Sequence, residues 1–167
     1  MAAVGRLAVV ISPHARLREL GLELPAPPAA VASYVPTRLA PLGKGRSLLY
    51  VSGQISAQGG KRLTGRCPDE VTIEQARLAA RVCGLNLLAQ MEAAAGLDNV
   101  EQVMQLTGFV LSTDDFGEQP IVINGASDLL VEVLGDAGKH TRIALGTNAL
   151  PFSVTVETAA VAVVRTG

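Results

Sequence analysis

Aromatic residues are nearly missing from this chain: they make up 3% of it, with two Tyr, three Phe and no Trp. Proteins that hold single-stranded nucleic acid stack bases on aromatic rings, so this scarcity argues against that class. Charge is also scarce, at 17%, and it nearly cancels: 14 Lys and Arg against 15 Asp and Glu leave a net charge of −1. No basic run is available to track phosphates, and nucleic acid is not an expected partner. No apolar run reaches the roughly 18 residues of a membrane span, so no membrane partner is expected either. The early stretch "RLAVVIS" is too short for a convincing signal peptide and reads as a stray strand or an extension. Cysteine is limited to Cys67 and Cys83. They form no C-x-x-C pair and no disulfide framework, which fits reduced thiols and a cytoplasmic setting. No His, Cys, Asp and Glu spacing suggests a metal site, and "GKGRS" lacks the spacing of a phosphate-cradling loop. No metal or organic cofactor is expected.

What is present is a 167-residue chain, 49% hydrophobic, which suffices for one domain with a real core. Residues 1–24 read as an N-terminal extension carrying a short helix, with Ser12 as N-cap, Pro13 at the first helical position and Gly21 as the stop. Residues 25–167 read as a single domain, entered through the Pro-rich connector "PAPPAA". Strands are predicted over about 31–40 and 47–52, with a weak third near 54–57 or 62–63. "VTIEQARLAARVCGLNLLAQMEAAAG" is the clearest helix: Thr72 and Gln75 fit a capping box, the apolar residues recur at helical spacing, and Gly96 ends it. A strand over about 103–111, a helix from Gln119–Pro120 to Gly135, and strands over about 142–146 and 152–164 follow. That order predicts an α+β two-layer sandwich, one mixed six-stranded sheet with two long helices on one face. The other face is left uncovered, and oligomerisation is the simplest way to cover it.

Two charges interrupt the apolar C-terminal stretch "HTRIALGTNALPFSVTVETAAVAVV". Arg142 offers a planar fork that grips a carboxylate, and Glu157 can hold or deprotonate a water. They form either a structural ion pair or a site for a small anion that reacts with water. In "YVSGQIS", Ser52, Gly53 and Gln54 offer a hydroxyl, a close backbone and an amide, or merely end a strand. Tyr34 is placed in the first strand, and Asn124 in the second long helix, where its amide either reaches a ligand or caps a turn.

Together, Tyr34, "YVSGQI", the helix after Thr72, "INGASDLL" and the Arg…Leu-Pro…Val-Glu pattern at the end resemble the Rid family, the reactive intermediate deaminases or YjgF/RidA-like proteins. The resemblance covers about residues 25–165 and is to a divergent branch: Ser33-Tyr34-Val35 stands where Pro-Tyr-Ser is familiar, and Ala144 where cysteine is common. It implies a chorismate-mutase-like fold and a homotrimer with active-site clefts between subunits. It implies that Arg142 anchors a substrate carboxylate, that Glu157 positions the attacking water, and that Tyr34, Ser52 and Asn124 line the cleft. Backbone N–H groups near Ala144 would steady the developing tetrahedral species. The implied reaction is hydrolysis of enamines or imines such as 2-aminoacrylate to 2-keto acids and ammonia, so the expected partner is a small imino or keto acid. The alternatives are a non-catalytic trimeric module that binds small carboxylates and, on weaker grounds, an endoribonuclease.

Overall fold

The computed structural model describes residues 12–30 and 32–167; the expectation for "RLAVVIS" falls almost wholly outside them. Helix α1 (Pro13–Glu19) starts as its residues dictate, with Ser12 Oγ accepting the Ala15 N–H at 3.2 Å and Gly21 turning the chain away at φ +64°. It is not detached from the domain. Leu17 is buried, and Leu22 and Leu24 beyond it pack on the same core.

Among the described residues the main sheet has five strands rather than the expected six. These are β1 (Thr37–Gly43), β2 (Arg46–Ile55), β5 (Val100–Leu111), β6 (Thr141–Thr147) and β7 (Val156–Arg165), in spatial order β1-β2-β7-β5-β6. The weak third strand folds instead as a separate small ribbon of β3 (Ala57–Gln58) and β4 (Lys61–Arg62) around Gly59 and Gly60. Two glycines at positive φ there make a turn too tight to extend into the sheet. All pairings are antiparallel except β5 with β6. The strand last in sequence, β7, lies at the centre, and its alternation of Val156, Thr158, Ala160, Ala162 and Val164 facing inward is the period of a half-covered strand.

Helices α2 (Ile73–Ala95) and α3 (Gln119–Leu134) both lie on one face, as expected. The capping box at the start of α2 is formed: Thr72 Oγ1 accepts the Gln75 N–H, and Gln75 Oε1 accepts the Thr72 N–H. The helices approach closely because glycines face each other's chain. A Cβ on Gly125 would stand 2.0 Å from the Arg77 carbonyl oxygen, and one on Gly84 would stand 3.2 Å from Ala126 Cα. Leu87, Leu88 and Met91 of α2 and Leu129 and Leu130 of α3 are fully buried between the layers, each contributing about 1.5–3 kcal/mol of transfer free energy. The opposite face of the sheet carries Tyr50, Ile143 and Leu145, 44–50% exposed, together with half-buried Leu48, Phe109 and Val161. It is largely apolar, and no helix of the described residues lies over it.

Candidate functional site

Arg142 and Glu157 do not form an ion pair within the chain. Leu106 of β5 pairs with Arg142 on one side and Ala160 on the other, while Phe109 pairs with Leu145 and Glu157. The two charged residues are thus two strands and three positions apart, about 14 Å between Cα atoms. They also point to opposite faces. Arg142 shares the helix side with buried Leu106, whereas Glu157 alternates out of phase with buried Val156 and Thr158.

Around Arg142 the groups are polar and matched. Its Nη1 donates to Asn124 Oδ1 at 2.7 Å and to Ser127 Oγ at 3.1 Å, both from α3. Ser127 Oγ lies 3.0 Å from His140 Nε2, and His140 Nδ1 lies 2.6 Å from the Gly138 carbonyl oxygen. A carbonyl only accepts, so Nδ1 carries the proton and Nε2 of the neutral ring accepts from Ser127. Burial holds the His140 imidazole below the usual histidine value; the Gly138 hydrogen bond opposes this and the Arg142 charge adds to it. The Nη2 and Nε donors of Arg142 have no partner among the described residues. Half of the fork is therefore fixed and half is open to a carboxylate. Ala144, two residues on, shares the helix side and packs against the core. Strand β6 is an edge strand, so alternate backbone N–H groups along it lack a partner strand.

Glu157 stands on the wall of a cavity of about 690 Å³ that Tyr34 and Ser52 also line. Tyr34 is not in β1, which begins only at Thr37; it lies in the bend before the strand. That bend is held by Ser52, whose Oγ donates to the Val35 carbonyl at 2.7 Å and whose N–H donates to the Pro36 carbonyl at 2.9 Å. Ser52 does not end its strand either: β2 runs on to Ile55 through a register shift between Val51 and Gln54. A bulge there re-aims the chain and brings Gly53 against the carboxylate, so close that a Cβ would stand 2.0 Å from Glu157 Oε1. The Glu157 carboxylate has no hydrogen bond or ion pair among the described residues, and desolvation pushes its pKa above the usual glutamate value.

The chain thus brings Tyr34, Ser52 and Glu157 together at one place, and Arg142, Asn124 and Ala144 at another. Residue patterns alone did not identify Asn86, Ser127, His140, Arg62 or Phe152. Asn86 was readable in part, since Ala79, Cys83, Asn86 and Gln90 repeat at the spacing of a buried helical stripe and both amides are 2% exposed. Asn86 Nδ2 donates to the Ile55 and Ala57 carbonyls, fixing the start of the small ribbon.

The family model described as YjgF/chorismate mutase-like, which also carries an endoribonuclease label, matches residues 14–161. The chain belongs to the YjgF/chorismate mutase-like family. Within it, Protein TCP17 of Trypanosoma cruzi is 40% identical over 158 residues, 93% of this chain and 92% of its own. Atu1372 of Agrobacterium tumefaciens, a protein of unknown function, is 42% identical with a TM-score of 0.82, over 91% of this chain and 92% of that one. The structure of E. coli TdcF with bound serine is 25% identical with a TM-score of 0.57, over 84% and 94%. This YjgF-type chain is therefore nearer in sequence and shape to the Atu1372 kind of member than to TdcF. Among the described residues, no helix is long and apolar enough to cross a membrane.

Proposed function

We propose that the protein hydrolyses 2-imino acids, or the enamines they equilibrate with, to 2-keto acids and ammonia, in sites completed by two subunits of a homotrimer. One observation carries this reading: an arginine with half its fork open and a desolvated glutamate without a partner occupy separate parts of one chain. The exposed apolar sheet face, with Tyr50, Ile143 and Leu145, supports association, and the serine held by TdcF supports a small amino-acid-like ligand.

In this reading Arg142 of one subunit binds the substrate carboxylate through its open Nη2 and Nε donors, fixing the C=N group near Glu157 of the neighbour. Glu157 holds a water against the imine carbon. The water oxygen bonds to that carbon, the C=N π pair moves onto nitrogen, and Glu157 carries the water's proton there. Glu157 then takes the hydroxyl proton of the resulting carbinolamine and passes it to the nitrogen, the carbon–nitrogen bond breaks as the keto group forms, and ammonia leaves. Nothing is oxidised or reduced. An upward-shifted glutamate suits this work, because a group that both takes and returns a proton acts best when its pKa approaches the working pH.

Mixed trimers test the arrangement. Arg142→Ala and Glu157→Ala chains, each inactive alone, are co-refolded in equal amounts. A shared site combines an intact arginine from one chain with an intact glutamate from the other, so random mixing restores about a quarter of parental activity. No recovery in a verified mixed trimer overturns the shared site, and parental activity in either single variant overturns the residue roles.

A further inference from the structure

We infer that the cavity beside Glu157 selects imino acids with bulky apolar side chains, rather than the one- or two-carbon side chains of 2-aminoacrylate and 2-iminobutyrate. This rests on the deaminase reading and names its substrate class. On a single chain the cavity measures about 690 Å³ and is open on one side; even with part of it given to the neighbour's Arg142, it exceeds a three-carbon imine. Its apolar lining comes from Pro28, Ala29, Ala30, Ile55, Ala57 and Phe152.

The polar residues lining it mostly have their groups engaged elsewhere. Ser52 Oγ donates to Val35, Gln54 Nε2 donates to the Ser52 and Gly53 carbonyls, and Asn86 Nδ2 donates to the ribbon. The side-chain oxygens of Gln54 and Asn86 are buried and have no hydrogen-bond partner among the described residues. Among the described residues that line it, the polar groups without a partner are the Glu157 carboxylate, the Tyr34 hydroxyl, these two buried oxygens, and the Arg62 guanidinium, which lies 4.1 Å from the centre of the Phe152 ring.

Two features show that this wall is built rather than incidental. Gln90, 2% exposed within α2, donates to the Pro28 carbonyl at 2.6 Å and ties the connector over the cavity. Phe152, one of three phenylalanines in the chain, is 55% exposed and sits at φ +57°, followed by Ser153 at φ +56°. Two successive non-glycine residues in the left-handed region are costly and cluster at sites where a side chain has to be presented. Here they hold an aromatic ring in the cavity lining, with the Arg62 guanidinium over it.

The test uses the full-length protein and two readouts. An amino-acid oxidase generates imines from alanine, 2-aminobutyrate, leucine and phenylalanine, and kcat/KM for each is measured. Calorimetry compares phenylpyruvate and 4-methyl-2-oxopentanoate with pyruvate as ligands. The expected result is a preference for the large members of about tenfold or more in both. Phe152→Ala and Ala30→Leu, one removing a wall and one crowding the cavity, should each reduce the large-to-small ratio. Equal or better handling of the small members, or a ratio unmoved by both variants, overturns the inference. Tighter binding of the large keto acids with no turnover of any imine leaves the size selection standing and overturns the deaminase reading instead.

Discussion

The surroundings of Arg142 and of Glu157 are opposites. The arginine is gripped by Asn124 and Ser127, and Ser127 in turn is oriented by a neutral His140 anchored on a backbone carbonyl. The glutamate is half-desolvated, touches the bare backbone of Gly53, and has no partner to stabilise its charge. A group meant to hold a fixed charge benefits from a matched shell that locks its rotamer. A group meant to exchange protons benefits from a shell that leaves its two protonation states close in free energy. The contrast between a locked cation and an uncompensated carboxylate is the one the proposed roles require, a binding residue against an acid–base residue.

The sharpest way to break that contrast is Glu157→Gln. It should cut the turnover number by about 100-fold or more, while keto-acid affinity measured by calorimetry stays near parental. The same variant should be more heat-stable than the parent at neutral pH. The native carboxyl titrates above its unfolded value, so the stability it contributes is full below the unfolded value and is lost as pH rises through the native one. Thermal melts across pH 3.5–8 should converge at the acid end and separate toward neutrality; a variant less stable than the parent at pH 8 would show that Glu157 has a stabilising partner.

Arg142→Lys should lower kcat/KM by roughly tenfold to 100-fold, through affinity, because a point charge replaces the remaining half of the fork. If stability fell in proportion to activity, the residue would be structural. Gly53→Ala is milder: the new methyl displaces the Glu157 carboxylate without removing it, and turnover should fall by about tenfold with keto-acid binding retained. Parental turnover there would mean that the carboxylate position beside Gly53 is not the reactive one. The smallest effect is expected from Ser127→Ala, which takes one acceptor from Arg142 and one donor from His140. It should weaken keto-acid binding several-fold, the worth of about one hydrogen bond, and Ser127→Thr should recover part of that loss.

Much of this could be read from the chain before folding was considered. The two long helices, their caps and the apolar alternation of β7 follow from local spacing, and the resemblance in "HTRIALGTNALPFSVTVETAAVAVV" singled out Arg142 and Glu157. Their separation was not readable, because strand order is set by long-range pairing that periodicity does not encode. Tyr34 was misplaced since Ser33-Tyr34-Val35 has strand-like composition, yet the hydrogen bonds from Ser52 hold it in a bend. Ser52 looked like a strand end because Gly53 usually interrupts a strand; here the glycine makes room for a carboxylate arriving from β7. Sequence spacing does not connect His140 to Arg142, because Ser127, which joins them, is thirteen residues away on another element.

The position of β7 has a consequence for how the protein comes into being. Strands β2 and β5 do not touch; each is hydrogen-bonded to β7, which follows both in the chain. Both helices and four of the five main strands precede the middle of the sheet in the chain and are made before it. The nascent chain therefore has two facing unpaired strand edges, which are liable to join with a neighbour's. Contacts of such long sequence separation also form slowly. A chaperone that shields the gap until Val156–Arg165 emerges would serve this molecule well. Because the same segment brings Glu157, a chain cut short before it lacks the proposed acid–base residue along with the centre of its sheet.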